Sequence, residues 1–157
     1  MSYIIYTDGS CRANGRPNST GGFGVVVTIN DELVEGYRRD CAEGTTNNRE
    51  ELKAILYALS EYGQYNPIVY SDSAYCVNAI NTWMWDWKYG GWLKKSDGLP
   101  PENLDLFKAF ETLFRLGLKM DLRKIQGHAG HKWNEMADKL ATGQLQRIEK
   151  EELKVGE

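Results

Sequence analysis

Apolar and polar positions change rhythm twice along the chain. "YIIYT" at 3–7 is a short apolar run, and "FGVVVTI" at 23–29 is dense in β-branched residues. "ND" follows as a tight turn and "ELVEGYRRD" alternates, so the second and third runs predict a β-hairpin. The intervening "DGSCRANGRPNSTGG" is loaded with Gly, Asn, Ser and Pro and predicts a loop. From Asn47 to about Tyr62 the spacing becomes helical. "PIVYS" is a further short strand opened by Pro67, and "DSAYCVNAINTW" begins as a capped helix. After an aromatic, glycine-containing stretch, "LDLFKAFETLFRLG" is amphipathic with Gly117 as its stop. "MDLRKIQ" alternates as a strand, and "NEMADKLATGQLQRIEKEEL" closes the chain as a helix that frays at its end.

Three strands, a helix, a strand, helices, a strand and a helix make an α/β protein. The order predicts a mixed sheet of about five strands with helices on both faces. The chain reads as one domain over 1–146, with 147–157 as a frayed or disordered tail. Its 157 residues suffice for a sizeable core, and 41% hydrophobic with 26% charged residues is ordinary for a globular protein. No apolar stretch approaches bilayer length and "MSYIIYTDGS" lacks a basic and apolar leader pattern, which makes a cytoplasmic location the expectation. Cys11, Cys41 and Cys76 are odd in number and widely spaced, as reduced thiols would be. A net charge of −3 does not advertise a nucleic-acid binder, but the placement of charge matters more than its sum.

"TTNNREEL" at 45–52 carries two adjacent glutamates that wheel geometry separates. Leu52, Ile55, Leu56, Leu59 and Tyr62 share one face of the predicted helix. Glu50 falls roughly opposite that face, where it is expected to meet solvent and close a capping box with Asn47. Glu51 falls roughly 80° from the apolar centre, beside small residues, where a half-buried carboxylate needs a cation or donors. Asp8 and Asp72 each end a short apolar strand, and each has an ordinary explanation, as a turn aspartate and as a helix cap. If those strands are parallel neighbours, both carboxylates emerge at one sheet edge, within reach of Glu51. Three converging carboxylates without lysines between them imply a divalent cation. "QGHAGHKWNEMADKLA" adds His128 on a glycine-flanked loop, suited to proton transfer, and Asp138 on the helix that follows.

Together, "YTDGSC", "TTNNREEL", "YSDSAYC", the tryptophan-rich segment and "GHAGHKWNEMADKLA" resemble the type 1 ribonuclease H family over nearly the whole chain. The resemblance implies an RNase H-like fold and an endoribonuclease that hydrolyses the RNA strand of RNA/DNA hybrids, leaving 5′-phosphate and 3′-hydroxyl ends. It implies Asp8, Glu51, Asp72 and Asp138 as ligands of two Mg²⁺ ions, with Mn²⁺ as a possible substitute, and His128 as the catalytic histidine. The family's glutamate stands two positions after the arginine, so the motif selects Glu51 as the wheel does.

The hybrid is the expected partner of a monomeric enzyme. The resemblance places Asn14, Thr46 and Asn47 against it, Thr46 near a DNA-strand phosphate. In the protrusion "TWMWDWKYGGWLKK", Trp83 and Trp87 are substrate candidates that equally suit packing against the body. Lys88, Lys94 and Lys95 are the phosphate candidates, a thin basic patch against Asp86 and Asp97. The chain departs from its bacterial relatives at Gly44, where an arginine is common, at Ala74, where a glutamine is common, and in an extra "RPNST" before Gly21 and Gly22. Two other readings remain at this point: a nuclease of the same fold acting on another nucleic acid, and a non-catalytic hybrid-binding module.

Overall fold

The computed structural model describes residues 2–12, 14, 16–125 and 131–146, and the backbone of 148–149. The predicted hairpin forms from β2 (Thr20–Ile29) and β3 (Glu32–Cys41). Asn30 and Asp31 turn it with φ of 52° and 61°, the left-handed pair that a two-residue hairpin turn requires. β1 (Tyr3–Arg12) pairs antiparallel with β2 on one side and parallel with β4 (Ile68–Ser71) on the other. β5 (Asp121–Lys124) extends the parallel half, and β6 (Ile148–Glu149) adds a two-residue antiparallel strand to β3. The sheet order is β5-β4-β1-β2-β3-β6, so the five expected strands stand with a short sixth at the edge. The rest of the predicted tail lies outside the described residues.

The alternation of the central strands loads both faces. Ile5, Val25 and Val27 point to the face covered by α1 (Asn47–Tyr62), where Leu52, Ile55 and Leu59 are fully buried against them. Tyr6, Val26 and Leu33 point to the other face, covered by α5 (Lys132–Thr142) through Trp133, Ala137 and Leu140. Buried on both faces, the central strands have the continuous apolar character their sequence shows.

α2 (Ala74–Asn78) follows β4 and passes through a π-helical turn at 79–83 into α3 (Met84–Tyr89). α4 (Leu104–Arg115) lies beside α1, and Gly117 at φ 96° ends its chain direction as expected. No helix among the described residues is long and apolar enough to cross a membrane.

Three sequence expectations are corrected here. Asp8 does not end its strand in an Asp-Gly turn, because β1 runs on to Arg12 opposite Thr20. Glu50 does not face solvent. It is fully buried, since the first turn of α1 is enclosed on a second side by the chain around Gly21. The capping box is also absent, because Thr46 is the N-cap, its hydroxyl accepting from Arg49 N at 3.1 Å.

Candidate active site

The parallel pairing of β1 and β4 ends at the row Thr7–Ser71. Asp8 and Asp72 are the next residue on each strand, so two carboxylates emerge together where the strands part. Ser73, rather than Asp72, caps α2 by accepting from Cys76 N at 3.1 Å, which leaves the Asp72 side chain out of the helix cap. Glu51 reaches the same point from α1. A Cβ on Gly9 would overlap the backbone nitrogen of Glu51, so only glycine lets the helix start this close to β1.

Asp8, Glu51 and Asp72 each offer a carboxylate oxygen, and these three atoms lie within 4.8 Å of one another. Asp8 and Glu51 are buried and Asp72 is exposed at the mouth. Asp8 accepts from Gly9 N at 2.9 Å, while Glu51 Oε2 is buried with no hydrogen-bond partner among the described residues. Burial raises Asp8 to about 7, with the charges of Asp72 and Asp138 adding to it. Burial raises Glu51 to about 10, with Asp8 beside it. Asp72 is raised as well, by burial and by Asp138, and Lys124 on β5 opposes this. Lys124 stands beside the cluster because of the β4–β5 register, in which it pairs with Ser71.

Asp138 stands on the exposed side of α5, close enough to raise both Asp8 and Asp72. The four acidic residues predicted from sequence are thus brought to one place by four elements. Crowded carboxylates with an orphaned buried oxygen fit a divalent cation, which would supply the missing partner and the countercharge. His128 lies outside the described residues. His131 serves the fold, since its Nδ1 accepts from Asn134 N at 3.4 Å as the N-cap of α5 and its ring packs on Tyr6.

The substrate candidates form two groups. Asn14, Thr46 and Asn47 are joined, with Asn14 Oδ1 accepting from Asn47 N at 2.9 Å. In the protrusion, Trp83, Trp87, Lys94 and Lys95 line a groove of ≈ 320 Å³. Trp87 packs edge-on against Phe107 of α4 and Trp83 against Tyr75, with Trp83 still 38% exposed. Lys88 turns away from this groove to Glu111 of α4 at 2.8 Å and lies over Trp85. Lys94 pairs with Asp97 at 3.1 Å, which leaves Lys95 without an internal anionic partner among the described residues. Arg49 ties α1 to the start of α4 through Asp105 at 2.6 Å and Asn103 at 3.2 Å.

Sequence reasoning missed the buried Glu50 and Ser19. Glu50 Oε2 accepts from Thr45 Oγ1 at 2.5 Å and pairs with Lys53 at 2.9 Å. A lysine three positions after a glutamate was the readable signal for that pair. Nothing local marks Ser19 for burial.

The mixed sheet with helices on both faces and carboxylates at its parting strands defines an RNase H-like α/β protein. LC9-RNase H1, a type 1 RNase H with the type 2 active-site motif, superposes with a TM-score of 0.77 at 28% identity, covering 98% of this chain and 80% of that one. The foamy viral protease-reverse transcriptase shares the fold with a TM-score of 0.76 at 18% identity, over 89% of this chain and 19% of that one. In sequence, the Ribonuclease H of Clostridium botulinum is 38% identical over 143 residues, 88% of this chain and 91% of that protein. The Ribonuclease HI of Vibrio vulnificus is 40% identical over 141 residues, 87% and 84% of the two chains. The RNase H family model matches residues 1–146. The chain belongs to the RNase H family of enzymes, in its type 1 branch.

Proposed function

We propose that the protein hydrolyses the RNA strand of RNA/DNA hybrids with two Mg²⁺ ions, leaving 5′-phosphate and 3′-hydroxyl ends. The observation that carries this reading is the meeting of Asp8, Glu51 and Asp72 within 4.8 Å, with Asp138 beside them, in a chain of this family. A structural neighbour of the same fold has been solved in complex with an RNA/DNA hybrid, which supports the substrate class.

Asp8, Glu51, Asp72 and Asp138 would hold the ions, which when bound supply Lewis acidity for water activation and for the leaving 3′ oxygen. Burial disfavours charge on Asp8 and Glu51 and raises both above the usual carboxylate range, so a cation loading the site would favour their ionised forms and compete with protons there. Glu51 is held in place by the Gly9 contact, and Asp8 by its bond to Gly9 N. Asp72 and Asp138, the exposed members, would be open to an arriving phosphate. His128, by the family resemblance, moves a proton at the leaving group or aids product release.

Asn14, Thr46 and Asn47 would meet the backbone of the hybrid, and Trp83, Trp87, Lys94 and Lys95 would meet it at the protrusion groove. The test is a labelled RNA strand offered as hybrid, RNA duplex and single strand, with Mg²⁺ and with chelator. Metal-dependent cutting of the hybrid alone is expected, with 5′-phosphate ends on the products. Equal cutting of a labelled DNA duplex offered alongside these would favour another nuclease of this fold, and binding without cutting would favour a non-catalytic module.

A further inference from the structure

We propose that Ser19 is a positioning residue for substrate binding: it clamps Thr45 so that Thr46 and Asn47 are presented to the hybrid. The inference rests on the function proposed above and concerns the "RPNST" stretch of the β1–β2 connection.

Ser19 is completely buried, although it belongs to a loop. Its hydroxyl oxygen accepts from Thr45 N at 2.9 Å and donates to Thr45 O at 2.5 Å. One side chain thus satisfies both backbone groups of a residue that lies between β3 and α1 and pairs with no strand. Thr45 is held on its third side too, because its Oγ1 donates to the buried Glu50 at 2.5 Å. Cys11 Sγ also donates to Thr45 O, at 3.4 Å. Every polar group of Thr45 is consumed inward, and the residue is 2% exposed.

The consequence falls on the next two residues. With Thr45 fixed, Thr46 is half-buried and Asn47 is exposed. Thr46 Oγ1 spends a lone pair on Arg49 N, and among the described residues its O–H donates to none, which leaves it for an anionic oxygen. Asn47 N is taken by Asn14, from the same loop as Ser19, so the loop grips the segment at two points.

A hydroxyl that served only stability would loosen α1 as a whole, and Glu51 rides on the first turns of that helix. Two kinetic quantities therefore separate the roles. KM, kcat and the Mg²⁺ concentration for half-activity are to be measured for the wild type and Ser19→Ala on one RNA/DNA hybrid. Thermal melting of both proteins accompanies the kinetics. The expected result is a KM raised about fivefold, equivalent to one neutral hydrogen bond, with kcat and Mg²⁺ half-activation unchanged. A fall in kcat or a shifted Mg²⁺ midpoint would overturn the proposal in favour of a general support for α1. An unchanged KM in a folded variant would overturn it outright. Should Ser19→Ala not fold, Ser19→Cys, with a weak donor and acceptor in nearly the same volume, must show the same split. A wild type that leaves the hybrid intact would instead overturn the proposed function, and this inference with it. Wild-type cleavage with an unaltered variant sinks the inference alone.

Discussion

Gly9 and Glu51 meet backbone to backbone, with no room for even a methyl group between them. The glycine is needed for the approach rather than for an unusual φ, since its position lies within a strand. Replacing it with alanine pushes the first turn of α1 away from β1 and carries Glu51 off the acidic cluster. Gly9→Ala is expected to lose activity at least about a hundredfold, because misplaced catalytic groups cost on that scale. It is also expected to destabilise the fold by about 1–3 kcal/mol, as overpacking does. Cleavage assays and urea unfolding check the two parts separately.

The adjacent glutamates should part company under mutation. Glu51→Gln removes a carboxylate from the cluster and is expected to lower hybrid cleavage about a hundredfold or more while leaving the fold intact. Glu50→Gln weakens the bonds to Thr45 and Lys53 and is expected to cost about 1–3 kcal/mol in stability with kcat within a few-fold of wild type. If both variants lost activity equally at full stability, the assignment of Glu51 alone to the site would be wrong.

Without metal, the cluster opposes folding as pH rises. Asp8 and Glu51 go from ordinary values of 3.8 and 4.5 to about 7 and about 10 on folding, so the folded state binds more protons between those limits. Their stabilisation is complete below about pH 4 and is lost as pH rises through 7 and on toward 10. Glu51→Gln should therefore melt higher than wild type at pH 8 in chelator, by roughly 4–8 °C for a gain on the order of 2 kcal/mol. At pH 4 the difference should vanish, and Mg²⁺ at pH 8 should raise only the wild type. Calorimetry at the two pH values decides it.

Lys88 carries a further expectation, because Glu111 holds it at 2.8 Å. Freeing the ammonium with Glu111→Gln should tighten hybrid binding a few-fold and steepen the salt dependence by up to about one unit of slope. Lys88→Gln alone should change neither. Anisotropy titrations of a labelled hybrid at several salt concentrations would reveal the reverse pattern if Lys88 already touched a phosphate.

Much of this was legible from local pattern. The bounds of α1 follow from a sustained period and a polar start, and Asp8 and Asp72 fall together once their strands are taken as parallel. Most of the misreadings share one cause, which is distance along the chain. A helical wheel assigns Glu50 to solvent because it sees one apolar face, whereas Gly9 and Gly21 bring β1 and β2 over the second side. The burial of Ser19 and the capture of Lys88 by Glu111 likewise depend on partners more than twenty residues away. The cap of α2 was misplaced by a single residue, and that residue decided whether Asp72 was free.

The parallel pairing of β1 with β4 also dictates when the site can come into being. β1 finds β2 across a short loop, but its other neighbour begins only at Ile68, and α5 arrives later still. As the chain leaves the ribosome, Asp8 and Glu51 are present long before Asp72, and Asp138 comes last. Pairing across such separations is slow to nucleate, so the acidic groups are expected to meet late, with much of the core already in place to hold them against their mutual repulsion.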